Sequence, residues 1–280
     1  MHEWLSQQIA SIPFAAVILL GLCLVLSAGG FYRTVYFISI GYGLSIAGMA
    51  VANVILFHAN HSWLTLLQAV LLFIYGARLG TYLMVREFNA GFRKYMEASP
   101  YSSREPNAVI KILIWITVAL LYVLMVSPNL FAWQKQLAFS ASSTLLLQII
   151  GCAVMIGGLL LEGIADMQKS IFKKSEPKRF CDKGLYSIVR CPNYLGEMIV
   201  WTGNFIAGIG FYTTPLRFII ALTGYVCIVL IMLGSTRRLE LSQDKRYGSN
   251  KEYQAYCKRV PIVLPIVPLF SLKKLKVYLG

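Results

Sequence analysis

Charged residues are scarce in this chain of 280 residues, which is 57% hydrophobic and only 14% charged. Acidic residues are the scarcest, with 12 Asp and Glu against 26 Lys and Arg, and none occurs between Glu3 and Glu87. In their place stand several uninterrupted apolar runs long enough to cross a lipid bilayer. This composition excludes an ordinary soluble domain and indicates a helical membrane protein.

The apolar runs predict an all-α polytopic membrane protein with seven transmembrane helices. No internal repeat and no linker rich in Pro, Gly or Ser divides the chain, so a single domain covering residues 1–280 is expected. The sixth span is the least regular, because Asn193, Glu197 and Asn204 interrupt its apolar face. The predicted spans are residues 12–29, 34–57, 63–85, 109–131, 144–164, 194–211 and 215–234.

The chain also lacks the cysteine and histidine patterns of a metal centre. Its six cysteines form no C-x-x-C pair and are expected to be free buried thiols. Its three histidines, His2, His58 and His61, are predicted at the outer face, away from the polar motifs described below. Neither a zinc site nor an iron site is therefore expected.

The formal net charge is +14, but the basic residues lie beside the ends of the predicted spans and form no separate basic domain. Nucleic acid is therefore not an expected partner. The positive-inside rule places the first, third and fifth connections and the tail in the cytoplasm, because these carry most of the Lys and Arg. With seven spans, the N-terminus is then outside and the C-terminus cytoplasmic. The membrane would be a bacterial inner membrane or the endoplasmic reticulum, depending on the source.

A polar stripe follows the fifth predicted span. Glu162 and Asp166 stand four residues apart and share one helical face, which continues through Lys169 and Lys173. Carboxylates at bilayer depth are costly unless they have a partner or face a wet cavity. Such a stripe can hold ribose hydroxyls with its carboxylates and phosphates with its ammonium groups. The alternative is a solvated helix end with intrahelical ion pairs.

A second polar motif is the run Asn193-Tyr194-Leu195-Gly196-Glu197. It follows Pro192, which suits a helix start. Asn193 can offer its amide to a carboxamide-like group, and Gly196 would let a flat ring approach the backbone. Glu197 would then enter the membrane facing that ring. The alternative is that Asn193 caps the helix and Glu197 pairs with an arginine.

A third motif lies on the third predicted span, where Tyr75, Arg78, Tyr82 and Arg86 recur at helical spacing on one face. A buried arginine needs an anion, and a tyrosine can hydrogen-bond an oxygen on which negative charge develops. The alternative is an aromatic belt at the membrane interface with a snorkelling arginine. That alternative suits Tyr82 and Arg86 better than the deeper Tyr75 and Arg78.

Three stretches in the C-terminal half of the chain together make the sequence similar to a known family. They are Asp166 followed by Gln168 and Lys169, the run Gly184-Leu185-Tyr186, and the run Arg-Cys-Pro-Asn-Tyr-Leu-Gly-Glu at 190–197. With them, the chain resembles the steroid 5-alpha-reductase family, including the bacterial membrane proteins that share its C-terminal domain. The resemblance covers the C-terminal half strongly and the third span weakly. It implies a seven-helix fold with NADPH between the later helices and a lipid-facing cavity for an enone.

The resemblance also implies roles for single residues. Tyr75 and Arg78 match a Tyr-x-x-Arg pair in which the tyrosine meets the substrate carbonyl and the arginine meets the cofactor. Residues 144–270 would form most of the cofactor pocket, and 63–95 would contribute the substrate side. The glutamate that the family carries on the second span has no counterpart here, which leaves steroid specificity open. The expected catalytic residue is Tyr75, and the expected cofactor-binding residues are Arg78, Tyr82, Glu162, Asp166, Lys173, Arg179, Tyr186, Asn193, Tyr194, Glu197, Arg237 and Arg238.

Two other functions remain open. The Arg-x-Pro-x-Tyr-x-Gly pattern also resembles isoprenylcysteine carboxyl methyltransferases, which bind S-adenosylmethionine, although Cys191 stands where those enzymes usually have histidine. A lipid-binding membrane protein without catalysis is the third reading. The expected function is NADPH-dependent reduction of the C=C bond of a lipophilic enone, a 3-oxo-4-ene steroid by resemblance. The substrate would enter from the bilayer, among membrane lipids, without an obligate protein partner.

Overall fold

The computed structural model describes residues 12–58, 62–88, 105–135, 142–265 and 267–275. His2, His61 and residues 89–95 of the predicted substrate side lie outside this range. The described residues contain eight α-helices and no strand. All six cysteines are free thiols, as predicted, and three of them are fully buried. The helices are α1 (Ala15–Ser27), α2 (Ile40–Leu56), α3 (Trp63–Phe88), α4 (Ala108–Lys135), α5 (Ser142–Ser175), α6 (Pro192–Gly208), α7 (Pro215–Tyr247) and α8 (Lys251–Arg259).

Each predicted span coincides with one of the first seven helices. Five of these helices, α2 to α5 and α7, are long and apolar enough to cross a membrane. The others, α1 and α6, are shorter, with 13 and 17 residues. The prediction of an all-helical, multi-pass membrane protein is therefore confirmed. Two helices extend past the predicted span ends, α5 to Ser175 and α7 to Tyr247, because Lys, Arg, Glu and Gln are good helix formers outside the bilayer.

The chain forms two compact units. The first contains the residues up to Cys152 together with Asn204–Gly224, and the second contains Ala153–Gly203 and the residues from Tyr225 onward. Helices α5, α6 and α7 each contribute to both units.

Close contact between α2 and α3 organises the first unit. A Cβ atom added to Gly43 would lie 2.6 Å from the backbone nitrogen of Gly80, and one added to Gly76 would lie 2.6 Å from that of Ala47. Larger residues at these positions would separate the two helices. Small residues at a helix contact are the usual means of close packing in membranes.

Neutral polar side chains also join the helices of the first unit. The Asn53 amide donates to Asn129 Oδ1 at 3.1 Å, and the Gln68 amide donates to Asn204 Oδ1 at 2.8 Å. The Gln148 amide donates to the hydroxyl of Thr65 at 2.9 Å. All of these side chains are buried, so each bond satisfies an amide N–H donor that the membrane cannot hydrate. We call this set the amide network.

The second unit is held together near its C-terminus by aromatic side chains. Phe180, in the loop after α5, packs against Tyr247 at the end of α7 and against Tyr253 and Tyr256 of α8. The ring centroids of Phe180 and Tyr253 are 5.2 Å apart in an edge-to-face arrangement. This cluster fixes the loop that carries several of the predicted site residues.

Candidate functional site

Two buried carboxylates lie at the crossing of α5 and α6. Glu162 and Glu197 are only 4% and 6% exposed. A Cβ atom added to Gly196 would lie 2.7 Å from the backbone nitrogen of Glu162 and 2.8 Å from the carbonyl oxygen of Gly158. The prediction that Gly196 leaves room for a flat ring is therefore wrong. Its missing side chain instead lets the backbone of α5 approach.

The run Gly184-Leu185-Tyr186 is fixed against α5 by Gln168. Gly184 has φ of 61°, a left-handed conformation that favours glycine. A Cβ atom there would also lie 2.5 Å from Gln168 Oε1, which accepts the Leu185 backbone N–H at 2.9 Å. The left-handed backbone therefore favours glycine at this turn, and a side chain there would also displace the Gln168 amide from its bond to Leu185. Tyr186, two residues after Gly184, is buried in the interior.

Tyr186 is a buried phenol, 4% exposed, whose hydroxyl has no hydrogen-bond partner among the described residues. Its backbone carbonyl accepts a bond of 2.6 Å from the hydroxyl of Tyr256. Burial, reinforced by the nearby carboxylate of Asp166, raises the pKa of the Tyr186 phenol above its ordinary value. The phenol therefore stays protonated at neutral pH and can donate a hydrogen bond to a ligand.

Tyr186 lines a cavity of about 140 Å³ between the end of α5, the following loop and the end of α7. The cations Lys169, Lys173 and Arg246 also line it. Lys173 donates to the hydroxyl of Tyr247 at 3.0 Å and to the backbone carbonyl of Arg179. In the described part of the chain, no carboxylate lies within ion-pairing distance of these three cations. The cavity is therefore positively charged and several times larger than a water molecule.

Asn193 and Glu197 lie one turn apart near the start of α6, which begins at Pro192 as predicted. Asn193 Oδ1 is buried and accepts no hydrogen bond from any described residue. Tyr194, between them, is half-buried. A buried amide oxygen without a donor is uncommon in folded proteins and indicates a place for a ligand group or a water.

Of the twelve predicted cofactor residues, only Lys173 and Tyr186 line the cavity of about 140 Å³. Three of the predicted arginines contact other groups. The Arg179 guanidinium forms ion pairs with Glu176 at 3.2 Å and Asp182 at 3.1 Å in its own loop. Arg237 donates to the backbone carbonyl of Lys273, and Arg238 donates to Ser235. In this conformation these arginines bind the protein itself.

The predicted catalytic residue Tyr75 and two predicted cofactor residues, Arg78 and Tyr82, lie in the first unit on one face of α3. Tyr75 is fully buried, Arg78 is half-buried and Tyr82 is 49% exposed, so exposure to the surroundings increases along this face. The Tyr75 hydroxyl lies 2.8 Å from the hydroxyl of Tyr42 on α2. Sequence reasoning missed Tyr42 because it looked for a carboxylate on the second span. A search for any hydrogen-bonding side chain there would have found it.

Sequence reasoning also missed Arg246 and Glu240, both on α7. The predicted seventh span ends at Gly234, before both residues. Glu240 is buried, and its carboxylate accepts a bond of 3.2 Å from the guanidinium of Arg190. Charged residues at four-residue intervals after an apolar span were the available signal.

Comparison with known proteins identifies the family. The model of the family described as "Protein of unknown function (DUF1295)" matches residues 31–260, most of the chain. No curated protein and no solved structure matches it. The matched range contains every predicted site residue, from Tyr75 to Arg238. The chain therefore belongs to the DUF1295 family.

Proposed function

We propose that the chain is an NADPH-dependent reductase of the C=C bond of a lipophilic enone, with a 3-oxo-4-ene steroid as the first substrate to test. The cavity lined by Lys169, Lys173, Arg246 and Tyr186 is the observation that carries this proposal. Three cations and a protonated phenol around a small cavity fit a phosphate group, because charge-assisted bonds to phosphate oxygens are strong.

The residues at the start of α6 would bind the nicotinamide end of the cofactor. Asn193 Oδ1 is a buried acceptor without a described donor, and the carboxamide N–H of a nicotinamide would supply one. Glu197 lies one turn further on the same helix and is buried as well. Glu162 and Asp166, on α5, would accept hydrogen bonds from the ribose hydroxyls. These four residues belong to the polar stripe on α5 and to the run at 193–197.

The charge of the cavity favours NADPH over S-adenosylmethionine. NADPH carries several phosphate charges, whereas S-adenosylmethionine carries a sulfonium cation and no phosphate. A cavity of three cations would repel the sulfonium and would leave its own charges uncompensated.

Within the first unit, Tyr75 would donate its hydroxyl hydrogen to the carbonyl oxygen of the enone. Negative charge develops on that oxygen during reduction, and a positioned donor in a dry site stabilises it. The hydroxyl of Tyr42, 2.8 Å away, would hold Tyr75 in orientation. NADPH, when bound, supplies the hydride, and the chain supplies binding, orientation and exclusion of water.

The membrane topology is part of the same proposal. Seven crossings would place the N-terminus outside and the C-terminus in the cytoplasm, in accord with the basic connections. The ends of α5 and α7, with Lys169, Lys173 and Arg246, would then face the cytoplasm. NADPH is available in that compartment.

Ligand-induced stabilisation of the detergent-purified protein tests the cofactor. NADPH at a hundred times its Kd should stabilise the native state by about 2.7 kcal/mol and raise Tm, and NADH should do so less. Arg246→Ala should weaken the NADPH effect. Lys245→Ala should leave it unchanged, because Lys245 is exposed as Arg246 is but does not line the cavity.

Other outcomes of this experiment would favour a different function or a different phosphate site. A rise in Tm with S-adenosylmethionine but not with NADPH would favour a methyltransferase. No shift with either NADPH or S-adenosylmethionine would favour a non-catalytic lipid-binding protein. Equal loss of the NADPH effect in the Lys245 and Arg246 variants would show that the cavity is not the phosphate site.

A further inference from the structure

A buried ion pair lies directly before the helix that carries Asn193 and Glu197. Arg190 Nη2 and Glu240 Oε1 are 3.2 Å apart, and both side chains are 2% exposed. Replacing such a pair by apolar side chains is often neutral or stabilising, because burying two charges costs much of what their attraction returns. Stability alone therefore does not explain the pair. Its contacts indicate that it fixes a particular geometry.

Arg190 connects the start of α6 to three other parts of the second unit. Its guanidinium donates to Cys257 Sγ on α8 at 3.1 Å, to the backbone carbonyl of Phe270, and to Glu240 on α7. Each contact uses a different direction of the planar guanidinium group. A lysine would not reproduce these contacts, because its three N–H donors all leave one nitrogen, whereas the contacts of Arg190 use two separate nitrogens.

The tail segment, residues 261–265 and 267–275, forms backbone hydrogen bonds with the residues just before α6 and with Glu240. The Arg190 backbone N–H donates to the carbonyl oxygen of Pro261, and the Cys191 N–H donates to that of Ile262, both at 2.9 Å. The second oxygen of the Glu240 carboxylate accepts the backbone N–H of Leu272 at 2.9 Å. Glu240 therefore holds the arginine with one oxygen and the tail segment with the other.

We propose that Glu240 is a positioning residue for cofactor binding, acting through Arg190 on the first turn of α6. This inference rests on the proposed function, because it assigns the nicotinamide end to Asn193 and Glu197. Arg190 precedes Asn193 by three residues, so its position sets the direction in which α6 begins. Glu240 touches no part of the proposed cofactor site itself.

The same helix face offers a matched control. Asp244, one turn after Glu240 on α7, pairs with Lys273 of the tail segment and accepts a bond of 3.1 Å from the hydroxyl of Tyr253. It attaches the tail segment as Glu240 does, but none of its bonds reaches Arg190. Asp244→Asn therefore loosens the tail segment without removing the ion pair.

The experiment compares NADPH binding and kinetics of Glu240→Gln and Asp244→Asn in the full-length purified protein. The glutamine can accept only one of the two bonds that Glu240 accepts, and its amide N–H groups would face either Arg190 or the Leu272 N–H. We expect Kd and KM for NADPH to rise about tenfold in Glu240→Gln, with kcat within about twofold of wild type. Asp244→Asn should bind NADPH as wild type does.

Hydrogen exchange provides a readout besides activity. The Cys191 backbone N–H should exchange faster in Glu240→Gln, and NADPH should restore part of its protection. If Glu240→Gln does not fold, Arg190→Lys tests the same point, since it keeps the charge pair and loses the other guanidinium contacts. Its Kd should also rise.

Three results would overturn the inference while leaving the proposed function intact. They are a wild-type Kd for NADPH in Glu240→Gln, an equal rise in Kd in Asp244→Asn, and a fall in kcat without a change in KM. Failure of the wild-type protein to bind NADPH would instead refute the proposed function itself.

Discussion

The hydroxyl oxygens of Tyr42 and Tyr75 lie 2.8 Å apart, on two helices that are in backbone contact at Gly43 and Gly76. Both tyrosines are buried, so water does not compete for this bond. Tyr42 lies on the second predicted span, where the resemblance to steroid 5-alpha-reductases would place a glutamate. This span has no acidic residue, and the described partner of the Tyr75 hydroxyl on it is the neutral hydroxyl of Tyr42.

Tyr75→Phe should abolish most of the enone reduction while leaving the fold and NADPH binding intact. The substitution deletes only the hydroxyl, and donors to a developing oxyanion typically contribute a hundredfold or more in rate. The measurement is kcat with a 3-oxo-4-ene steroid, accompanied by Tm with and without NADPH. A rate close to that of wild type would show that Tyr75 only packs between α2 and α3.

Tyr42→Phe should have a smaller effect, about tenfold on kcat, because Tyr42 orients the donor and does not replace it. In the double variant with Tyr75→Phe the rate should be no lower than in Tyr75→Phe alone. Two residues that act through one bond give non-additive effects. Multiplicative losses would mean that Tyr42 contacts the substrate independently.

Glu197→Gln should preserve the fold and weaken NADPH binding, because a carboxylate can accept bonds with both oxygens and an amide with only one. The variant should retain the Tm of wild type without nucleotide and lose part of the shift with NADPH. Met198→Leu, one position further along α6, serves as a packing control for this helix. Unchanged NADPH affinity in Glu197→Gln would remove Glu197 from the site.

Protonation of the Glu105 carboxylate should contribute to a loss of stability in acid. The ammonium group of Lys111 and the hydroxyl of Thr34 lower the pKa of the Glu105 carboxyl below its ordinary value of 4.5. A carboxyl with a lowered pKa stabilises the fold above its unfolded pKa, and this contribution is lost as pH falls through the folded pKa. Glu105→Gln should therefore have a lower Tm than wild type at pH 7, and the difference should shrink below pH 4.5. A constant difference across this range would contradict the assignment.

The helices were predictable because each apolar run is long and is bounded by polar residues. Their ends were less predictable. Lys169 and Arg246 lie on helical turns that continue beyond the apolar part of α5 and α7, where hydropathy no longer indicates structure. The sequence alone therefore indicated the stripe on α5 but not its facing residues on α7.

The roles of the glycines depended on partners that are distant in sequence. Gly184 has a left-handed conformation and faces Gln168, whereas Gly196 faces the backbone of α5. Both belong to the motifs that carry the resemblance, yet both act in packing and neither offers space to a ligand. A motif identifies which residues are constrained, but the cause of the constraint is seen only from their neighbours in the structure.

The amide network of the first unit has an electrical consequence. Its side chains, among them Asn53, Gln68, Asn129 and Gln148, are neutral, so they carry no net charge across the membrane field. A full charge moved through the bilayer would change in energy by about 2.3 kcal/mol for each 100 mV of membrane potential. The network undergoes no such change. These helix contacts therefore keep the same strength in an energised and in a depolarised membrane.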